Sequence, residues 1–131
     1  MLNNKGQTLV LFVMMLPLFF ILFALVVDIG FVMNEKNKIE TIVRNSISNS
    51  MKCSECTNEE IRTRIIDVIN KNVNDIEIEK INVTKDNQFI VSVNKKVKGL
   101  FSNIINTKYH NVTISYIAET KNNKVIFKKE W

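Results

Sequence analysis

Two cysteines three residues apart, Cys53-Ser54-Glu55-Cys56, and a single histidine, His110, are the residues of this 131-residue chain best able to do covalent or metal chemistry. In an oxidising compartment the cysteine pair could close a tight loop as a disulfide. A redox-active dithiol needs a preceding strand and its first cysteine at a helix start, whereas the helix-start signal here falls after Cys56. Zinc needs four ligands, and only His110 remains to join two thiols. Two free thiols are the other reading of the pair. A His-assisted nucleophile would rest on His110 alone, with no Gly-x-Ser-x-Gly beside it, and its place before Val112 suits a strand edge or surface. Gly6, Gly30 and Gly99 are the only glycines, too few and too far apart for a P-loop or dinucleotide loop. Asn82-Val83-Thr84 and Asn111-Val112-Thr113 match the glycosylation sequon but fall in expected strands, and they carry weight only in a eukaryotic host. The expectation is a protein with no catalytic residues, metal, cofactor or small-molecule substrate.

The elements around these residues are legible in the periodicity. Thr57-Asn58-Glu59-Glu60 before Ile61 is a capping box, with Thr57 at the N-cap and Glu60 three positions on. Ile61, Ile65, Val68, Ile69 and Val73 then mark one face of a helix over residues 58–73. Glu59 and Glu60 suit its positive end. Beyond Asn74 the period changes to two. Ile76 and Ile78, then Ile81 and Val83, predict one strand, and Phe89, Val91 and Val93 a second. The Lys85-Asp86-Asn87 turn between them makes an antiparallel hairpin. Val112, Ile114 and Tyr116 predict a third strand. Val125 and Phe127 predict a short fourth after the Lys121-Asn122-Asn123 turn. Periodicity leaves Gly99 to Lys108 open between a loop and a short helix. A helix over one face of about four antiparallel strands is an α+β arrangement.

The first part of the chain is different. Leu9 to Val27 holds 19 residues, fifteen of them Leu, Ile, Val or Phe, and none charged. As a helix the run spans about 28 Å, close to the ~30 Å hydrocarbon core of a bilayer. A cleaved signal would have a shorter apolar region and a small-residue cleavage site at its end, and a soluble core helix would have a polar face. The sequence therefore predicts a transmembrane helix over residues 7–27, preceded by a leader or cytoplasmic tail at 1–6. Pro17 lies within it, and the lost N–H should bend the helix there. Ile29, Val32, Met33, Ile39, Ile42, Val43, Ile47 and Met51 continue the helical spacing, which extends the helix amphipathically over 28–52 to a total of about forty residues. Only Gly30 interrupts the propensity. Residues 53–131 form the remaining domain.

The net charge of +5 is uneven. Cys53 to Ile90 holds five basic and eight acidic residues, while Val91 onward holds eight lysines against Glu119 and Glu130. Scattered through strand-like segments, these lysines read as a solvated exterior. The absence of arginine from that half argues against nucleic acid, whose phosphates and bases are usually met by arginine forks.

The run Lys5-Gly6-Gln7-Thr8-Leu9-Val10-Leu11-Phe12, the Leu16-Pro17 pair and the exit Val27-Asp28-Ile29-Gly30 resemble the TadE/TadG-like pilus-assembly proteins. These are pseudopilins of the Tad (Flp-type) secretion and adherence apparatus. The resemblance is strongest over about residues 5–50. It continues more loosely through Gly99-Leu100-Phe101 and a strand ending in Ala118. It implies cutting by a prepilin peptidase after Gly6, with Gln7 the first mature residue. It also implies a single-pass protein of the plasma (inner) membrane, with a cytoplasmic N-terminus and an extracytoplasmic domain whose partners are other pilus or pilus-assembly subunits. The chain departs from the pattern at Leu11, where TadE-like members and pilins usually have glutamate and TadG-like members often do not. A general membrane-anchored adaptor and a DNA-uptake pseudopilin are the alternative readings.

Overall fold

The computed structural model describes residues 4–84, 88–105, 109–122 and 124–129. One helix, α1 (Asn4–Met51), carries both the apolar run and the segment after it, unbroken through Pro17 and Gly30. Its 48 residues extend about 72 Å, more than the sequence suggests. From Asp28 a buried stripe forms at three- and four-residue steps, through Ile39, Val43, Ser46, Ile47 and Ser50, with Val32 and Ile42 half-buried along it. This is the spacing that keeps one helical face on a neighbour. Ile29 and Met33, expected on that face, are instead exposed. Ser46 is fully buried and its hydroxyl donates to the Ile42 carbonyl at 2.7 Å, which meets its polar requirement within the helix.

Helix α2 (Asn58–Asn72) follows a short loop. The Glu60 N–H donates to Thr57 Oγ1 at 3.3 Å and the Thr57 N–H donates to Glu60 Oε2 at 3.0 Å, so the start of the helix is satisfied reciprocally. Such caps contribute about 0.5–2 kcal/mol. Ile61, Ile65 and Ile69 are buried on one face. Asp75, in the left-handed region at φ 56°, turns the chain from α2 into the sheet. That conformation is one that Asp and Asn adopt more readily than most residues.

The sheet is an antiparallel meander in the order β1-β2-β3-β4, formed by β1 (Ile76–Val83), β2 (Phe89–Val97), β3 (His110–Lys121) and β4 (Lys124–Lys129). A four-residue helix, α3 (Ser102–Ile105), lies between β2 and β3, within the segment that periodicity left open. Phe89, Val91 and Val93 pair with Ala118, Tyr116 and Ile114, and all six are buried on one face. Asn122, at φ 50°, turns β3 into β4. The Lys85-Asp86-Asn87 turn lies outside the described residues, as do Asn123 and Lys108.

Strand β1 changes phase between Ile78 and Ile81, and the change has a physical cause. Ile78 pairs with Val93 and Lys80 with Ser92, so the register shifts between them and β1 has a residue more than β2. This bulge returns Ile81, now opposite Val91, to the face already used by Ile76 and Ile78. Glu79, between the two shifted pairs, accepts from Ser92 Oγ at 3.3 Å and from Asn94 Nδ2 at 3.1 Å. Helices α1 and α2 cover the face carrying Phe89, Val91 and Val93, giving two layers around one core, while the other face mixes polar side chains with Ile90, Ile117 and Ile126.

Candidate functional site

The surface that distinguishes this molecule is the first half of α1. Leu9 to Val26 is exposed almost everywhere, with Phe12, Phe19, Phe20 and Phe23 each 58–66% accessible. None of the most apolar window of the helix is buried against the rest of the protein. A contiguous apolar surface of this length far exceeds what a monomer leaves in water. Pro17 lies inside this stretch, while Gly6 and Gln7 lie exposed in the first turns of the same helix. A Cβ added at Gly6 or at Gly30 would meet nothing within 4 Å, so no close approach within this chain requires glycine at either position.

Where the apolar run ends, α1 is fastened to the domain. Asp28 is only 5% exposed, and its Oδ1 accepts a hydrogen bond from the Phe101 N–H at 2.9 Å across 73 positions of sequence. Gly99 sits against the same carboxylate, where an added Cβ would come within 2.5 Å of Oδ2 and 2.8 Å of Cγ. Gly99 has no positive φ, so glycine is needed there for room and not for backbone freedom. Ser102, buried, donates from its hydroxyl to the Gly99 carbonyl at 2.9 Å and closes the turn. The Asp28 and Gly30 exit motif thus separates into a carboxylate that anchors a distant loop and an exposed glycine. The motif Gly99-Leu100-Phe101 was visible in the sequence, but its pairing with Asp28 was not. The available signal was an acid directly after an uncharged run, a group that needs a donor when buried.

Further along α1, Glu40 Oε1 bonds Lys129 Nζ at 2.8 Å, and the Arg44 guanidinium lies 5.2 Å from the centre of the Phe127 ring. Phe127 meets Tyr116 edge to face, with ring centres 6.0 Å apart. These contacts hold the edge strand β4 against α1. Burial, followed by the nearby Glu40 charge, raises the Tyr116 phenol above its usual range. The hydrogen bond to Glu40 raises the Lys129 ammonium.

Cys53 and Cys56 are bonded to each other with Cα atoms 5.5 Å apart, in the loop that joins α1 to α2. Thr57 and Glu60 begin the next helix immediately afterwards. His110 is half-buried at the first position of β3, opposite Val97. Among the described residues no group of three or more His, Cys, Asp or Glu side chains is placed to hold a metal ion.

The fold therefore defines a two-layer α+β domain built on the second half of a helix whose first half is an uncovered apolar rod. Residues 6–46, just under a third of the chain, match the model of the TadE-like protein family. The matched segment starts at Gly6 and covers the apolar run, the exit motif and all but the last turn of the buried stripe. Neither a curated protein nor a solved structure matches the chain. The TadE-like match supports involvement in a Tad-type pilus system. One helix near the N-terminus is long and apolar enough to cross a membrane, which fits a membrane-anchored component of such a system.

Proposed function

We propose that this protein is a single-pass, membrane-anchored, pseudopilin-like subunit or accessory of a Tad-type (Flp) pilus assembly and secretion system. Residues 7–27 would span the membrane, and the α+β domain would meet other pilus or pilus-assembly subunits on the extracytoplasmic side. The observation that carries the reading is that the TadE-like match includes the whole apolar surface that the domain leaves uncovered. Its mechanism is assembly. The exposed aromatic and aliphatic side chains give lateral packing to neighbouring helices, while Pro17 leaves a carbonyl that a neighbour can satisfy. A photo-crosslinking amino acid at Phe20, expressed together with the Tad components, should form adducts with other pilus subunits. Pili assembled with no such adduct would overturn the reading.

Prepilin-type processing after Gly6 belongs to the same proposal. Leu11 supplies no carboxylate at the fifth position of a chain beginning at Gln7, which favours an accessory or minor position over that of a major pilin. Co-expression with a matching prepilin peptidase should shorten the intact mass by the six residues through Gly6, and Gly6→Val should block the change. A mass beginning at Met1 beside active peptidase would remove Gly6 and Gln7 from the functional residues and leave the anchor intact.

A further inference from the structure

We infer that the loop after β2 is a second membrane contact, which seats the domain on the lipid surface through Leu100 and Ile104. The inference rests on the reading of residues 7–27 as the membrane span. Asp28 directly follows the apolar run, so its level along α1 is the edge of the hydrocarbon. The 2.9 Å bond from the Phe101 N–H to Asp28 fixes the loop at that level. Gly99, with no room even for a Cβ, holds it flush against the helix. At this height Leu100 is 63% and Ile104 is 77% exposed, among the most exposed large apolar side chains beyond Val27. Ile29, 50% exposed, follows Asp28 on the helix.

The arrangement of the domain agrees. Met51, Asn58, Ile61, Phe89 and Thr120 line one hollow, which gathers the end of α1, the start of α2 and the neighbouring ends of β2 and β3 far from Asp28. The opposite strand ends therefore face the level of Asp28, where β2 leads into the loop and β3 begins. The interfacial layer is about 5–7 Å deep on each side of the hydrocarbon, enough to take a leucine and an isoleucine side chain. Apolar side chains in such a layer are removed from water without crossing it. Lys98, exposed at the base of the loop, suits the headgroups. Lys96 shares a hollow with Asp75, Glu77, Asn94 and Tyr109, so its charge is offset nearby. The contact is thus chiefly apolar, and the partner is the lipid surface itself and not a particular anionic headgroup.

Depth-dependent quenching tests this on the full chain in phosphatidylcholine bilayers brominated near the carbonyl end of the acyl chains. The chain's one tryptophan, Trp131, is first changed to phenylalanine. Single tryptophans are then placed by Ile104→Trp, by Phe20→Trp within the span, and by Ile126→Trp on the outer face of the sheet. All three positions are exposed, so the fold has room for each. The expected result is loss of emission from the Ile104→Trp and Phe20→Trp proteins in brominated relative to plain lipid, with the Ile126→Trp protein unchanged. Quenching at position 20 with none at 104 would overturn the second contact and leave the span standing. No quenching at 20 would remove the span and the inference together. Quenching at 126 as well would overturn the seating by the loop.

Discussion

Replacing Phe89 by alanine is expected to lower the stability of the domain by about 3–5 kcal/mol, the range for deleting a buried aromatic side chain. Phe89 is 3% exposed at the first position of β2. Opposite it on β3 stands Ala118, fully buried and small, so the ring occupies space that its neighbour leaves free. Alanine at both positions would open a void between the sheet and the helices, beside Met51 and Ile61. Ile90, one residue on, points to the other face and is half-buried. Urea melts of the full chain in mild detergent, followed by circular dichroism, should show a large drop in midpoint for Phe89→Ala and a much smaller one for Ile90→Ala. Equal losses would mean that the helices do not cover the face carrying Phe89, and the two-layer description would fail.

The positions of the helices and strands could be read from sequence because each rests on a local pattern. The capping box at Thr57 acts within four residues, and the alternation of Phe89, Val91 and Val93 follows from the pleat. The strand through Ile76, Ile78, Ile81 and Val83 was equally legible, but the bulge within it was not. It depends on which partner in β2 each residue faces, and on Ser92 and Asn94 meeting the Glu79 carboxylate. The same holds for the length of α1. Gly30 lowers helix propensity locally, yet burial from Asp28 to Ser50 against the rest of the domain carries the helix through it. Ile29 and Met33 fit the helical period but lie off the buried stripe, because that stripe begins with a carboxylate, Asp28. A pattern search for apolar faces passes over such a residue. What the sequence could least reveal was the pairing of Asp28 with Gly99 and Phe101, a contact between segments about seventy positions apart that share no pattern.

In intact cells, after mild reduction, a membrane-impermeant maleimide is expected to label Cys53 and Cys56, and replacing both by serine should abolish the labelling. The charge pattern argues the other way. Positive residues favour the cytoplasmic flank of a span. Lys5 precedes this one, while Lys36, Lys38 and Arg44 follow it. Two features weaken that count. The basic residues are offset by neighbours, since Lys38 bonds Glu35 at 3.0 Å and Asp28 and Glu40 lie on the same helix. They also belong to a folded domain, and long domains cross a membrane largely regardless of their charge. The proposed role as a pilin-like anchor calls for a cytoplasmic N-terminus, and the prediction follows that proposal. The cysteines report on this without any added tag, because both are half-buried in a surface loop and bonded only to each other. A disulfide of this kind persists in an oxidising compartment and is rare in the cytoplasm. Labelling only after lysis would put the domain in the cytoplasm. The pilus proposal and the oxidised pair in the cell would then fall together. The loop at Leu100 and Ile104 would still meet lipid, because its height is set by Asp28 whichever side of the membrane the domain occupies.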